Sequence, residues 1–136
     1  AAYAEAGVRA RVESFFSDMQ DQLAAAQLVI ARAGASTVTE LAVAGRPSIL
    51  VPLAIAMDDH QTANAEGMVA AGAADVVSEP KFAPVALTSL LKERLTNIAV
   101  LTARARAAYS LGRPDAARKL ADLAEDAAAV TVKRDA

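Results

Sequence analysis

Two short, unbroken apolar runs, Leu28-Val29-Ile30-Ala31 and Ser48-Ile49-Leu50-Val51, limit what this chain can fold into more than any other feature. Neither run alternates, so each reads as a strand covered on both faces, the pattern of a parallel sheet flanked by helices. The first run breaks at Arg32-Ala33-Gly34-Ala35-Ser36-Thr37, and a helix is expected over residues 38–44. Gly45 then stands where a helix C-terminus favours glycine, and Arg46-Pro47 leads into the second run. After a loop at residues 52–59, residues 60–71 are helical by composition, Gly72 ends that helix, and Ala74-Asp75-Val76-Val77 supplies a third strand. Repeated strand-helix-strand units with short connections predict an α/β fold with an open parallel sheet and right-handed crossovers.

The flanks read differently. Residues 8–15 alternate apolar and polar side chains, which predicts a half-buried strand, and Ser17-Asp18 offers a cap for a helix over residues 19–26. From Ala83 onward there is no strand pattern. Val85, Leu87, Leu90, Leu91 and Leu95 recur at helical spacing, residues 101–111 continue the theme, and Pro114-Asp115 restarts a last helix through about residue 129. One domain over residues 1–130 followed by a frayed tail at 131–136 is the expected organisation.

Composition removes several classes of function. A chain of 136 residues with 54% hydrophobic and 22% charged residues fits one folded domain. A net charge of −2 with 4% aromatics provides neither the positive field nor the stacking platforms of a nucleic-acid binder. Cysteine is absent, which excludes disulfides and thiolate metal sites. No apolar stretch approaches the roughly 20 residues of a membrane span, and the first residues lack a signal-peptide pattern, so any membrane contact is expected to be peripheral or through another part of the protein.

Ligands of open α/β sheets bind beyond the carboxyl ends of the strands, which selects the loops at residues 32–37 and 52–61. The first combines Gly34, two hydroxyl residues and the free amides of a helix N-terminus, a combination suited to an anion such as a diphosphate, and Arg32 adds a positive charge. Glu40 has two readings. Thr37-x-x-Glu40 matches a capping box, yet a carboxylate one turn behind a phosphate loop also suits two neighbouring ribose hydroxyls. The second loop holds Asp58-Asp59-His60-Gln61 and then Asn64. Asp58 or Asp59 can cap the following helix, while Gln61 and Asn64, three apart, share a helix face from which they can bond sugar hydroxyls. A metal is not expected, because consecutive side chains diverge and the chain has one histidine. No nucleophile constellation and neither phosphate-binding glycine signature is present.

Read together, Phe15-Phe16-Ser17-Asp18-Met19, the stretch from Arg32 through Ala42, Gly45-Arg46-Pro47-Ser48-Ile49-Leu50-Val51-Pro52 and Asp58-Asp59-His60-Gln61-Thr62-Ala63-Asn64-Ala65 resemble the C-terminal domain of MurG-type glycosyltransferases. The likeness extends over residues 3–130 and includes Ala71-Gly72-Ala73-Ala74. It implies a GT-B architecture whose C-terminal Rossmann-like half binds UDP-N-acetylglucosamine. The implied reaction is inverting transfer of N-acetylglucosamine to the lipid-linked muramoyl-pentapeptide lipid I, giving lipid II. It needs no cofactor, and it runs peripherally on the cytoplasmic face of the bacterial membrane.

Carried over by position, Phe16 meets the uracil through its backbone, Met19 lies beside it, and Glu40 holds the ribose. Arg32, Gly34, Ala35, Ser36 and Thr37 form the diphosphate loop, and His60, Gln61 and Asn64 read the sugar. The family commonly has proline and histidine where this chain has Ala54 and Ile55. The family's first glycine-rich loop and its acceptor domain are expected outside these residues. Catalysis by the 136 residues alone is therefore not expected, and a general base would come from the other domain. A GT-B enzyme with another sugar or acceptor, or a non-catalytic nucleotide-binding module, are the competing readings.

Overall fold

A computed structural model describes residues 2–53 and 60–134, the last six of them by backbone alone. Three parallel strands, β1 (Val29–Ala31), β2 (Ser48–Leu50) and β3 (Ala74–Val76), form a sheet in the order β1-β2-β3. Ile30 pairs with Ile49 and Ile49 with Asp75, so the strands sit in simple register. Helix α3 (Ala35–Val43) connects β1 to β2 and α4 (His60–Ala70) connects β2 to β3, the expected βαβαβ order. Short α1 (Ala2–Glu5) and α2 (Met19–Ala25) precede the sheet. A 3₁₀ turn at Glu79–Lys81, then α5 (Pro84–Thr96), α6 (Ile98–Leu111) and α7 (Ala116–Arg134), follow it.

Both crossover helices end as their glycines dictate. Gly45 and Gly72 take φ of 66° and 75°, the left-handed region that closes a helix and that a Cβ makes costly. The amide of Arg46 then donates to the Leu41 carbonyl at 2.8 Å and that of Gly45 to Ala42 at 3.0 Å, which satisfies carbonyls left open at the end of α3. Leu41, Leu50, Met68 and several alanines form the core between sheet and helices, with Val29, Val38 and Leu111 packed on its margin. Each fully buried large side chain contributes roughly 1.5–3 kcal/mol, so the core rests on few residues and on close backbone approach. Gly112 makes one such approach possible: a Cβ there would lie 2.9 Å from Val43 Cα, and α6 docks on α3 through this gap.

Asp75 on β3 anchors the helical part. Its carboxylate accepts from Arg94 of α5 at 2.9 and 3.0 Å and from Arg104 of α6 at 2.7 Å. All three side chains are mostly buried. Burial pushes the Asp75 carboxyl up, but the two guanidiniums outweigh it and hold the group below the usual carboxylate range.

Three expectations change. Residues 8–15 form no strand: Val8, Val12 and Phe15 are exposed, and the segment lies along the surface. Alternation describes two faces but not a pairing partner, and no strand pairs with this segment among the described residues. Helix α3 starts at Ala35, earlier than residue 38, because Gly34 in extended conformation (φ −63°, ψ 148°) already serves as its cap. Helix α7 continues past residue 129 to Arg134, as no glycine or proline follows Pro114 to stop it.

Candidate functional site

The first turn of α3 consists of Ala35, Ser36 and Thr37. No side chain caps it, and the first intrahelical bond is from the Val38 amide to Gly34. The amides ahead of it point out of the helix end with the positive pole of its dipole behind them. Because the cap is Gly34, Thr37 is the third helical residue, so the capping box with Glu40 is not formed. Glu40 is exposed, and among the described residues no hydrogen bond or ion pair engages its carboxylate.

Glu40 instead lines a groove of about 1020 Å³ between α3 and the segment leading into α2. Phe16, Asp18, Met19, Leu23 and Val43 share that groove, so the structure brings Phe16, Met19 and Glu40 to one concavity. Its wall is held by a network that sequence reasoning missed. Asp18 does not cap α2 with its side chain; it accepts from Arg11 and from Gln22, each at 2.8 Å. These bonds keep the Asp18 carboxyl below its usual range. The Arg11 guanidinium also lies 4.9 Å from the centre of the Phe16 ring. The four-residue spacing of Asp18 and Gln22 was visible in the sequence, but the reach of Arg11 was not.

The start of α4 lies beside the Gly34 turn. Asn64 Nδ2 donates to the Ala33 carbonyl at 3.1 Å, and Gln61 Oε1 accepts from the Leu53 amide at 3.0 Å. Both amides thereby tie the second loop to the strand ends, and His60 is the first residue of α4. Ala54, Ile55, Asp58 and Asp59, with the capping role expected of the aspartates, lie outside the described residues. Arg32 is not in the Glu40 groove. It lines a separate cavity of about 230 Å³ with Ile30, Val51, Glu79 and Phe82. Among the described residues no group of three or more acidic, histidine or cysteine side chains is placed to hold a metal.

Three parallel strands joined by crossover helices α3 and α4 define a Rossmann-like α/β domain, here with a helical C-terminal region. The chain belongs to the family described as the glycosyltransferase family 28 C-terminal domain, whose model matches residues 2–125. A relative from Maricaulis maris (strain MCS10) is 53% identical over 119 residues, covering 88% of this chain and 32% of the relative. It is named UDP-N-acetylglucosamine--N-acetylmuramyl-(pentapeptide) pyrophosphoryl-undecaprenol N-acetylglucosamine transferase. A protein of the same name from Rhodospirillum centenum (strain ATCC 51521 / SW) is 54% identical over 120 residues, with the same shares. The crystal structure of Acinetobacter baumannii MurG matches with a TM-score of 0.81 at 40% identity, covering 89% of this chain and 35% of that one. The chain thus spans about a third of the length of the curated relatives it matches.

Proposed function

We propose that this chain is the donor-binding part of an inverting N-acetylglucosaminyltransferase that moves N-acetylglucosamine from UDP to a lipid-linked muramoyl-pentapeptide. One observation carries the reading: an unengaged Glu40 carboxylate shares a groove with Phe16 and Met19, one turn behind a helix N-terminus that no side chain caps. In this reading the uracil sits against the backbone at Phe16 beside Met19. The ribose hydroxyls donate to Glu40, and the diphosphate meets the amides at Ala35, Ser36 and Thr37. Arg32 and Gly34 complete the diphosphate loop, while His60, Gln61 and Asn64 stand on the sugar side.

The chemistry follows from charge. Displacement at the anomeric carbon leaves negative charge on the departing UDP, and fixed amides at a helix N-terminus stabilise it without reorganisation. Glu40 contributes by orientation, holding the nucleoside so that the anomeric carbon faces the acceptor. Binding of the acceptor and the base that deprotonates its hydroxyl are assigned to the second domain of the GT-B architecture, and the enzyme would work peripherally at the cytoplasmic face of the membrane. No described helix is long and apolar enough to cross a membrane.

Calorimetric titration of the full-length gene product with UDP-N-acetylglucosamine tests the reading. Glu40→Ala is expected to weaken binding by about 1.5–3 kcal/mol, the range for a hydrogen bond to a charged group, without lowering thermal stability. Unchanged affinity in that variant would remove Glu40 from the site. Preference for another sugar nucleotide would transfer the assignment to a different glycosyltransferase.

A further inference from the structure

Arg32 is already engaged. Its Nη2 donates to Glu79 Oε1 at 2.6 Å, while its Nη1 lies 3.4 Å from the carbonyls of Val51 and Pro52. The guanidinium therefore spans the carboxyl end of β2, from the residue after β1 to the turn beyond β3. These contacts differ in strength. A charge-assisted bond of 2.6 Å is short and strong, whereas 3.4 Å is near the outer limit of a hydrogen bond. Glu79 is thus the principal tether, and it draws Arg32 into a different cavity from the one Glu40 lines.

The tether is partly exposed. The Arg32 and Glu79 side chains are 49% and 38% exposed, so water screens their attraction and the pair is worth little in isolation. In the reading proposed above a diphosphate would sit at the N-terminus of α3, at the end of the loop that begins with Arg32, and its oxygens would suit the guanidinium fork as well as a carboxylate does. Both anions cannot hold the same face of one guanidinium.

We propose that Glu79 sets the donor affinity of this site by competing with the donor's diphosphate for Arg32. The inference rests on the diphosphate reading of the Gly34 loop given above. Glu79 itself does not touch the donor in this scheme. It holds Arg32 across the sheet edge, and each binding event would exchange one anion for another at the guanidinium.

Titration with UDP on the full-length gene product tests this through a gain of affinity, a result that a damaged fold does not produce. Glu79→Gln keeps the shape and removes the charge, and it is expected to lower the Kd of UDP about two- to fivefold, the worth of an exposed pair. Glu79→Ala should shift it in the same direction. Arg32→Ala should raise the Kd, and in that background Glu79→Gln should have no further effect. An unchanged or higher Kd in Glu79→Gln overturns the proposal. So does equal tightening with and without Arg32, which would mean simple repulsion between Glu79 and the ligand. The Glu40→Ala variant separates the two levels. If it weakens UDP binding while Glu79→Gln does not tighten it, only the competition fails; if it leaves UDP binding unchanged, the underlying site assignment fails as well.

Discussion

Replacing Asp75 by alanine removes the acceptor of three charge-assisted hydrogen bonds, at 2.9, 3.0 and 2.7 Å, and leaves Arg104 beside Arg94, whose remaining carboxylate partner is the exposed Glu93 at 2.6 Å. Their side chains are 18% and 12% exposed and that of Asp75 is 22%, so little water is available to replace the carboxylate. Breaking a fully buried pair costs about 3–5 kcal/mol. The partial exposure here lowers the expectation to about 2–4 kcal/mol by the same reasoning. With a denaturant slope of about 2 kcal/mol per molar urea, the midpoint should fall by roughly 1–2 M in melts followed by circular dichroism.

Asp75→Asn should fall between wild type and alanine, because it keeps an acceptor and loses the charge. The sign with pH is fixed by the lowered carboxyl. Its stabilisation is complete above the unfolded carboxylate pKa of about 3.9 and disappears as pH falls through the lower folded value. In the alanine variant that acid-dependent loss should shrink. A midpoint within about 0.3 M of wild type would refute the idea that this triad clamps α5 and α6 to the sheet.

Two glycines should respond differently to alanine. Gly112→Ala forces a Cβ to within 2.9 Å of Val43 Cα and 3.0 Å of the Ala42 carbonyl, and backbone moves less readily than side chain, so a loss of about 1–3 kcal/mol is expected in the same melts. Gly34→Ala meets only Thr37 Oγ1, at 3.8 Å, and its φ of −63° suits any residue, so stability should hold. If that bare backbone instead serves the approach of a diphosphate, UDP affinity in Gly34→Ala should drop about tenfold, read by calorimetry.

The alternation of apolar runs and helical segments was enough to order β1, α3, β2, α4 and β3, because each pattern depends on local geometry and on burial of one face. Gly45 and Gly72 announced the helix ends for the same reason, since positive φ is a property of the single residue. The site was partly legible too. Gly34, Ser36 and Thr37 sit at a helix start that the strand before them predicts, and the likeness over four linked segments pointed to the family before any geometry was known.

Tertiary structure decided the rest. Thr37-x-x-Glu40 fits a capping box by spacing, and only the position of Gly34 as the cap showed that the box is not made and that Glu40 opens onto the Phe16 groove. The exposed course of residues 8–15 could not be read from alternation, which is silent about a pairing partner. Arg11 reaching Asp18, Arg32 reaching Glu79 across 47 positions, and two arginines meeting at Asp75 are pairings of long side chains from distant segments. Periodicity carries no information about them, because they depend on how the chain returns upon itself and not on the residues next to them.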